Sequence, residues 1–347
     1  MRLFLLLTSV LFVLAAFSNC AKKETSVKID QAMLAAFKPL PEIMESANNP
    51  VTLEKVELGR MLFYEKRLSK SHEFSCNSCH DLNTFGVDNQ PVSDGHKQQT
   101  GTRNSPSVYN AAGQVAQFWD GRAGDVEEQA KGPILNPVEM AMPDEKLVVK
   151  TLKSIPGYVE AFQKAFPGEK DPITYDNMAK AIGAFERKLV TPSRWDKFLR
   201  GDETALTNEE KTGFNKFVEN GCVTCHSGPY LGGGMFQKLG MVQPWPGNED
   251  AGRFHLTNNE ADKFVFKVAS LRNVAQTAPY LHSGAINNLE EMVAMMARHQ
   301  MNKTPSPEDI RYIVSFLNSM TGEIPTEYIK EPALPPSGPN TPKPDAE

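Results

Sequence analysis

The sequence contains few of the residues that bind metals or carry redox chemistry: five cysteines, seven histidines and three tryptophans among 347 residues. Four of the five cysteines form two closely spaced pairs, so no disulfide network is expected. No block of basic residues occurs, which argues against nucleic acid as a partner. Strand-like alternation of apolar and polar residues is scarce, so the fold is predicted to be mainly α.

Long apolar runs are absent except at the start of the chain. Residues 3–17 carry no charge and follow Arg2, the layout of a secretory signal peptide, so residues 1–19 are predicted to be removed. Cys20 then stands where a lipoprotein is cut and acylated; cleavage without acylation is the alternative. Export predicts a periplasmic protein. If Cys20 is acylated, the lipid would anchor this protein to a membrane. Without residues 1–19 the formal net charge is −6, which suits a small basic electron carrier as partner.

Two copies of the pattern Cys-x-x-Cys-His use the four paired cysteines. The first copy is Cys76, Cys79 and His80, and the second is Cys222, Cys225 and His226. This pattern attaches c-type haem: the thiols bond the porphyrin, and the histidine is the proximal ligand of the iron. A redox dithiol or half of a zinc site would explain the cysteines but not the histidine that follows both pairs. Two covalently bound c-type haems are therefore predicted.

The order of the segments predicts two cytochrome c-like haem domains with long loops. We assign residues 20–50 to a tether and lead-in segment, 51–195 to an N-terminal haem domain, 196–324 to a C-terminal haem domain and 325–347 to a Pro-rich tail that is extended or disordered. Each haem motif follows a predicted helix, the second of which opens with a capping box at Thr207 and Glu210. Other helices are predicted at 144–152, 157–166, 175–189, 289–300 and from 306 onward. Residues 81–110 are predicted to form a long functional loop.

The sixth ligand of each iron decides whether that haem binds small molecules or only transfers electrons. His96, sixteen residues after His80, could fold over the first haem, although composition alone favours a solvated loop histidine. For the second haem the residues themselves leave four methionines open: Met241, Met295, Met296 and Met301.

The chain resembles the bacterial dihaem cytochrome c peroxidases from about residue 53 to residue 322. Beyond the two haem motifs, the resemblance rests on LGRMLF at 58–63, RLS at 67–69, RNSPS at 103–107, FWDGR at 118–122, EQA at 128–130, NPVEM at 136–140, SLRNV at 270–274 and TAPY at 277–280. It implies a cytochrome c peroxidase that reduces hydrogen peroxide with electrons from a small cytochrome c or cupredoxin. A homodimer is common in the family.

The resemblance also implies roles for individual residues. The N-terminal haem would be peroxidatic, with His80 as proximal ligand and His96 as a distal ligand released when the second haem is reduced. Glu139 and Gln129 match the catalytic positions of the distal side. A carboxylate in a partly apolar pocket can move a proton between the peroxide oxygens, which fits Glu139.

At the C-terminal haem the resemblance implies electron transfer, with His226 and Met296 as axial ligands; Met295 is the alternative by a shift of one residue. Trp119 matches the tryptophan between the two haems. The family's inter-domain calcium site maps onto Asn104, Thr277 and Pro279. In this family the histidine at this position is often followed by Asp-Gly, whereas His282 is followed by Ser-Gly. We therefore assign no role to His282.

Two other functions compete with this interpretation. One is a dihaem oxidase of the kind that matures tryptophan-derived cofactors, which has a tyrosine in place of Met296 and lacks the switchable histidine. The other is a non-catalytic dihaem electron-transfer cytochrome whose irons are both permanently six-coordinate.

Overall fold

A computed structural model describes residues 27–347, and the predicted signal peptide and Cys20 lie outside that range. Eight helices precede residue 200: α1 Gln31–Leu34, α2 Leu53–Phe63, α3 Cys76–Cys79, α4 Val126–Leu135, α5 Glu145–Lys153, α6 Pro156–Ala165, α7 Tyr175–Glu186 and α8 Arg194–Leu199. Five follow: α9 Asn208–Glu219, α10 Phe254–Thr257, α11 Leu289–Met301, α12 Pro307–Asn318 and α13 Thr326–Ile329. The mainly helical prediction is confirmed.

Regular structure besides these helices is short. Two strands, β1 Phe236–Lys238 and β2 Val265–Lys267, pair antiparallel with Phe236 opposite Lys267. Single 3-10 turns occur at Lys66–Leu68, Leu82–Thr84, His96–Gln98, Ala111–Gly113, Glu203–Ala205, Cys222–Thr224, Glu260–Asp262 and Val274–Gln276. Two of these turns interrupt residues 81–110, which otherwise form the long loop predicted from the sequence.

Two hydrophobic cores organise the molecule, and both use the same helix packing. In the first core α2, which precedes the first haem motif, crosses α7 with Gly59 against the backbone carbonyl of Ala181. In the second core α9, which precedes the second motif, crosses α12 with Gly213 against the carbonyl of Tyr312. A β-carbon at either glycine would overlap that carbonyl, so the absence of a side chain permits the close crossing.

The lead-in segment, described from residue 27 and called the strap (residues 27–50), crosses between the two cores. Ile29 and Phe37 are buried in the second core, although their segment leads into the first domain. The backbone amide of Leu40 donates to Asp196 at 2.7 Å, and Asp196 also accepts two hydrogen bonds from the buried guanidinium of Arg272. The first part of the strap therefore packs with the second core, whereas its end, at Met44, is hydrogen-bonded to Arg187 in the first half of the chain.

The tail (residues 325–347) crosses in the opposite direction and packs on the N-terminal domain. Ile329 is 3% exposed and belongs to the first core. Tyr328 stacks on Phe185 with ring centroids 5.1 Å apart, and Tyr64 donates its hydroxyl to the carbonyl of Ile329. Farther along, Asp345 pairs with Lys70 at 3.2 Å. The sequence predicted a tail that is either extended or disordered. In the structure the tail is mostly extended, and it packs against the first core.

Replacing Ile329 with Ala is expected to lower the free energy of unfolding by about 2–5 kcal/mol, because it leaves a cavity in the first core. Urea unfolding of the holoprotein measures the change. Val115→Ala, at a side chain that is 51% exposed, is the control and should change stability by no more than about 0.5 kcal/mol. Equal stability of the two variants would contradict the docking of the tail.

Candidate functional site

The first Cys-x-x-Cys-His motif forms a single helical turn. Ser75 begins α3 in a capping box with Ser78, and the backbone amide of His80 donates to the carbonyl of Cys76 at 3.0 Å. Because the turn closes over four residues, the two thiols and the imidazole lie side by side. This is the arrangement that attachment of one porphyrin requires.

The imidazole of His80 is held by the loop that follows it. Its Nδ1 lies 3.4 Å from the carbonyl oxygen of Gly86, whose φ of +73° favours glycine. When Nδ1 carries the proton, Nε2 is the nitrogen left for a metal. Burial lowers the pKa of His80, so the ring is neutral and able to ligate iron.

The second motif repeats these features. Gly221, with φ +82°, ends α9, and the backbone amide of His226 donates to the carbonyl of Cys222 at 2.9 Å. His226 Nδ1 lies 3.0 Å from the carbonyl oxygen of Leu231, and burial lowers the pKa of the imidazole. Both motifs thus present a neutral, oriented histidine.

The protonation of the cysteines separates haem attachment from its rivals. Burial raises the pKa of Cys79 to about 11 and that of Cys222 to about 12. A redox dithiol depends on a thiolate with a lowered pKa, which these buried thiols lack. A zinc ion would itself deprotonate its thiols, so for zinc the number of available ligands decides. Within residues 27–347, moreover, no group of three or more His, Cys, Asp or Glu side chains could hold a metal ion. The cysteines fit covalent haem attachment better than either alternative.

A largely apolar cavity adjoins the second motif. Cys222, Cys225 and His226 line it together with Met296 on α11. Further lining residues are Phe217, Leu239, Phe266, Leu271, Val274, Leu289, Val293, Ile313 and Leu317. Thiols, an imidazole and a thioether within an apolar lining fit a haem with axial His and Met ligands.

The structure distinguishes among the four candidate methionines. Met296 and Met301 line the cavity, whereas Met241 is 45% exposed and Met295 packs within the second core without lining the cavity. Met301 lies against Gly221, directly before the first cysteine of the motif. Of these four, Met296 is therefore the one that lines the cavity without lying against the residue before the motif; Met292, on the same helix, lines the cavity as well.

His96 is buried, although composition alone favoured a solvated loop residue. It is 5% exposed, and its Nδ1 has no hydrogen-bond partner. Its backbone amide donates to the carbonyl of Glu139 at 2.9 Å. A buried, unpartnered ring nitrogen carries a free-energy penalty that an absent ligand or metal would remove.

The segment around His96 is a tight turn that we call the switch loop (residues 94–100). Asp94 and Thr100 form a bridge at its base, and a β-carbon on Gly95 would overlap the carbonyl of Val138. Lys97 and Gln98 both have φ of +57°, a conformation that costs non-glycine residues roughly 1 kcal/mol or more each. The loop is thus held in place by packing and not by favourable backbone geometry.

Glu139 lies beside both the switch loop and the first haem motif. It accepts a hydrogen bond from Asn136 Nδ2 at 2.7 Å and lies within electrostatic range of Cys79. Burial raises the pKa of Glu139, while the positive charge of Arg122 acts in the opposite direction. A carboxyl group with a raised pKa is suited to exchanging protons near neutral pH.

Two more polar side chains belong to this region. Gln129 is half-buried on α4, ten residues before Glu139. Arg122, which sequence reasoning matched only as part of a motif, acts electrostatically on Glu139 and stacks over Phe118 with its guanidinium 3.4 Å from the ring centroid. Arg122 is therefore a functional candidate that the sequence did not single out.

Trp119 connects the two domains. Its indole Nε1 donates to the carbonyl of Asn104 at 2.8 Å, and its own carbonyl accepts from the amide of Lys267 at 2.8 Å. The edge of its ring faces His282 with centroids 6.3 Å apart. Trp119 also lines the cavity, so its side chain lies where segments from both halves of the chain meet.

The three residues matched to a calcium site lie in the lining of the same cavity. Asn104 comes from the N-terminal half, and Thr277 and Pro279 come from the C-terminal half. The backbone amide of Asn104 donates to the backbone carbonyl of His282 at 2.7 Å, and this hydrogen bond joins the two segments. Side-chain and carbonyl oxygens of this kind suit a hard cation.

His282, to which sequence reasoning gave no role, is buried between aromatic rings. It stacks on Phe266 with centroids 4.1 Å apart and meets Trp119 edge-on. Burial lowers its pKa to about 4, so the ring is neutral. Nearby, Arg103 joins the domains by donating two hydrogen bonds to Asp250 at 2.6 and 2.9 Å.

Comparison with known sequences gives consistent matches. The model of the family described as di-haem cytochrome c peroxidase matches residues 53–204. The chain is 48% identical to cytochrome c551 peroxidase of Pseudomonas aeruginosa, over 91% of this chain and 92% of that protein. It is 46% identical to cytochrome c551 peroxidase of Nitrosomonas europaea, over 90% and 92%. Identity to the methylamine utilization protein MauG of Methylorubrum extorquens is 36%, over 76% and 74%.

Solved structures share the fold. A MauG-like protein associated with microbial copper homeostasis superposes with a TM-score of 0.76 at 27% identity, covering 85% of this chain and 97% of that one. The diheme peroxidase BthA of Burkholderia thailandensis gives a TM-score of 0.68 at 20% identity, covering 86% and 94%.

Proposed function

Because the chain belongs to the di-haem cytochrome c peroxidase family, we propose that it reduces hydrogen peroxide with electrons from a small cytochrome c or cupredoxin and is switched on by release of His96. The chain is an oxidoreductase that acts on peroxide. One observation carries the switch: a buried histidine with an unpartnered ring nitrogen on a strained loop beside the first haem motif.

Two c-type haems fit the residues at the two motifs. Cys76 and Cys79 would attach the N-terminal haem with His80 as proximal ligand, and Cys222, Cys225 and His226 would hold the C-terminal haem. When bound, the haems supply iron that accepts peroxide at one site and passes electrons at the other. The protein's part is to control ligation, protons and access.

His96 is the residue that controls ligation at the N-terminal site. With haem attached and oxidised, His96 would occupy the remaining ligand position of the N-terminal site. Reduction at the C-terminal site would then shift the switch loop and move His96 away, an order–disorder change of a short segment. The left-handed conformations at Lys97 and Gln98 support this proposal, because leaving them relieves backbone strain. That relief lowers the free-energy cost of rearranging the loop.

Glu139 handles the proton once the distal side is open. Glu139 would accept a proton from one peroxide oxygen and return it to the other; with two electrons supplied through the haems and two further protons from solvent, both oxygens would leave as water. Gln129 would orient peroxide by hydrogen bonding, and Arg122 would limit how far burial raises the pKa of Glu139. The backbone hydrogen bond from His96 to Glu139 supports a coupling between the switch and this carboxyl group.

Electrons would enter at the C-terminal haem, with His226 and Met296 as axial ligands. A thioether ligand raises the reduction potential relative to two histidines, which suits the site that accepts electrons first. Trp119 lies between the two sites and would assist transfer between them. Asn104, Thr277 and Pro279 would bind a calcium ion at the domain boundary, where it would fix the relative positions of the residues around Trp119.

The two alternatives differ from this proposal in observable ways. The MauG relative is 36% identical to this chain, whereas the two cytochrome c551 peroxidases are 46–48% identical. A cofactor-maturation oxidase would lack a ligand sulfur at Met296 and a releasable His96. A pure electron-transfer cytochrome would show no steady-state peroxide reduction with a reduced carrier, and that assay separates it from a peroxidase.

Localisation follows from the N-terminal run of residues 3–17 and from the haem chemistry. We propose export to the periplasm, with lipid attachment at Cys20 as the form that would hold the protein at a membrane. A single acyl chain binds membranes only marginally, so stable anchoring needs two or more. No helix within residues 27–347 is long and apolar enough to span a membrane. A homodimer stays a prediction from the family.

Stepwise reduction of the holoprotein, followed by optical and electron paramagnetic resonance spectra, tests the switch. We expect the first electron to reduce the C-terminal haem and the N-terminal haem to lose its sixth ligand in response. Met296→Ala should lower the potential of the C-terminal haem and weaken that response, because the thioether is gone. Met295→Ala, on the neighbouring face of α11, is the matched control and should behave as the wild type. If both haems keep six ligands at every stage of reduction, the switch is refuted.

A further inference from the structure

Lys267 occupies an unusual position at the end of β2. Lys267 is only 8% exposed, and its backbone amide donates to the backbone carbonyl of Trp119. The side chain helps to line the cavity that also contains Cys222, His226 and Met296. An ammonium group is therefore buried in the wall of the C-terminal haem cavity, next to the tryptophan between the two halves of the site.

The ammonium has no counter-charge. Lys267 Nζ donates to the side-chain oxygen of Gln114, which comes from the N-terminal domain. Within residues 27–347, no carboxylate forms an ion pair with Lys267, and its pKa is lowered to about 8 by burial alone. The other cation in the cavity wall, Arg272, is paired with Asp196 at 2.7 and 3.0 Å.

Burying a charge without a partner is strongly unfavourable, and removing one member of a buried ion pair is among the most destabilising changes in proteins. A cavity that places such a charge in its wall therefore fits an anionic occupant. Haem carries two propionates, so the cofactor that suits the cysteines and histidine of this cavity also supplies the missing negative charge.

We propose that Lys267 forms an ion pair with a propionate of the C-terminal haem and, together with Gln114 from the other domain, fixes that propionate at the domain boundary. The inference rests on the proposed attachment of haem at Cys222 and Cys225, and it does not depend on the His96 switch. A positive charge beside the propionate offsets the negative charge that favours ferric iron. Lys267 therefore raises the reduction potential of the haem that receives electrons first.

Potentiometric titration of the holoprotein tests the ion pair. Lys267→Met keeps the chain length but removes the charge, and we expect the ferrous-to-ferric ratio of the C-terminal haem at a fixed potential to fall about tenfold, which is about 59 mV for one electron. Lys267→Arg keeps the charge and should stay close to the wild type. Lys211→Met removes another buried ammonium, outside the cavity, and should leave the potential unchanged.

Resonance Raman spectra give a second readout, because the propionate bending mode of haem responds to hydrogen bonding. The mode should shift in Lys267→Met and not in Lys267→Arg or Lys211→Met; Lys267→Gln replaces Lys267→Met if the latter does not fold. An unchanged potential and an unchanged mode in the charge-removing variant would overturn the inference, as would an equal loss in Lys267→Arg. The haem content of the wild type distinguishes a failure of this inference from a failure of the proposed function. Fewer than two haems per chain would refute the proposed function itself.

Discussion

A His96→Gly variant is expected to react with hydrogen peroxide in the fully oxidised state, without the preceding reduction that the proposed switch requires of the wild type. Glycine has no ligand atom, so the distal side of the N-terminal iron would be open from the start. A minor conformation is typically populated at 0.1–10%, and removing the block should therefore raise the initial rate about 10- to 1,000-fold. Stopped-flow mixing of the oxidised protein with peroxide measures this rate.

His72→Gly is the matched control for this experiment. His72 also lies in the N-terminal domain and has φ of +58°, which glycine adopts without strain, so the substitution should not disturb the backbone. We expect it to keep the dependence on prior reduction. A His96→Gly protein that remains inert until it is reduced would show that another residue, or no residue, blocks the iron.

Glu139→Gln is expected to lower the steady-state rate of peroxide reduction about 10²- to 10⁴-fold, the range that general acid–base groups contribute. Glutamine preserves the size of the side chain and can still accept the hydrogen bond from Asn136, but it cannot take up a proton. Binding of small anionic or neutral ligands to the open iron should persist, which distinguishes loss of proton transfer from collapse of the site.

Glu128→Gln is the control for that variant, because Glu128 is exposed on α4 and pairs with Lys131 at 3.0 Å outside the site. Its rate should equal that of the wild type. The wild-type rate should fall as the pH drops through the pKa of Glu139, and since burial raises that pKa, the decline should begin above the range of an ordinary glutamate. A Glu139→Gln protein within threefold of the wild type would exclude the proton role.

Local sequence signals predicted most of the longer helices but missed α4 and α8. Where they succeeded, each signal acts over only a few residues. The capping box at Thr207 and Glu210 is present, and α9 ends at Glu219, directly before Asn220 and Gly221. The apolar stripe from residue 175 extended three residues beyond the end of α7 at Glu186, since Leu189 is buried without being helical. Burial and helical periodicity coincide within a helix but do not mark its end.

The choice between Met295 and Met296 shows what a sequence alone leaves open. Adjacent residues of a helix point about 100° apart, and both side chains here are apolar, so the pattern did not reveal which one lines the cavity. Both side chains pack against the second core, and of the two only Met296 lines the cavity. The family resemblance had favoured the same residue.

Long-range contacts were the part that sequence reasoning missed. Lys267 follows Val265 and Phe266 on a short strand, where a lysine is ordinarily a solvated strand end; its burial arises from contacts with Gln114 and Trp119, more than a hundred residues away in the chain. His96 likewise looked solvated because its covering segment, around Val138 and Glu139, lies forty residues later.

The exchange of terminal segments limits how this enzyme can move. The strap buries Ile29 and Phe37 in the second core, and the tail packs Tyr328 and Ile329 against the first core. A hinge rotation of one core relative to the other would therefore have to break both sets of hydrophobic contacts. Two polypeptides produced by cutting near residue 195 would each lack a piece of their own interior. For the switch proposed above, this packing favours a rearrangement of a few residues over a movement of one core relative to the other.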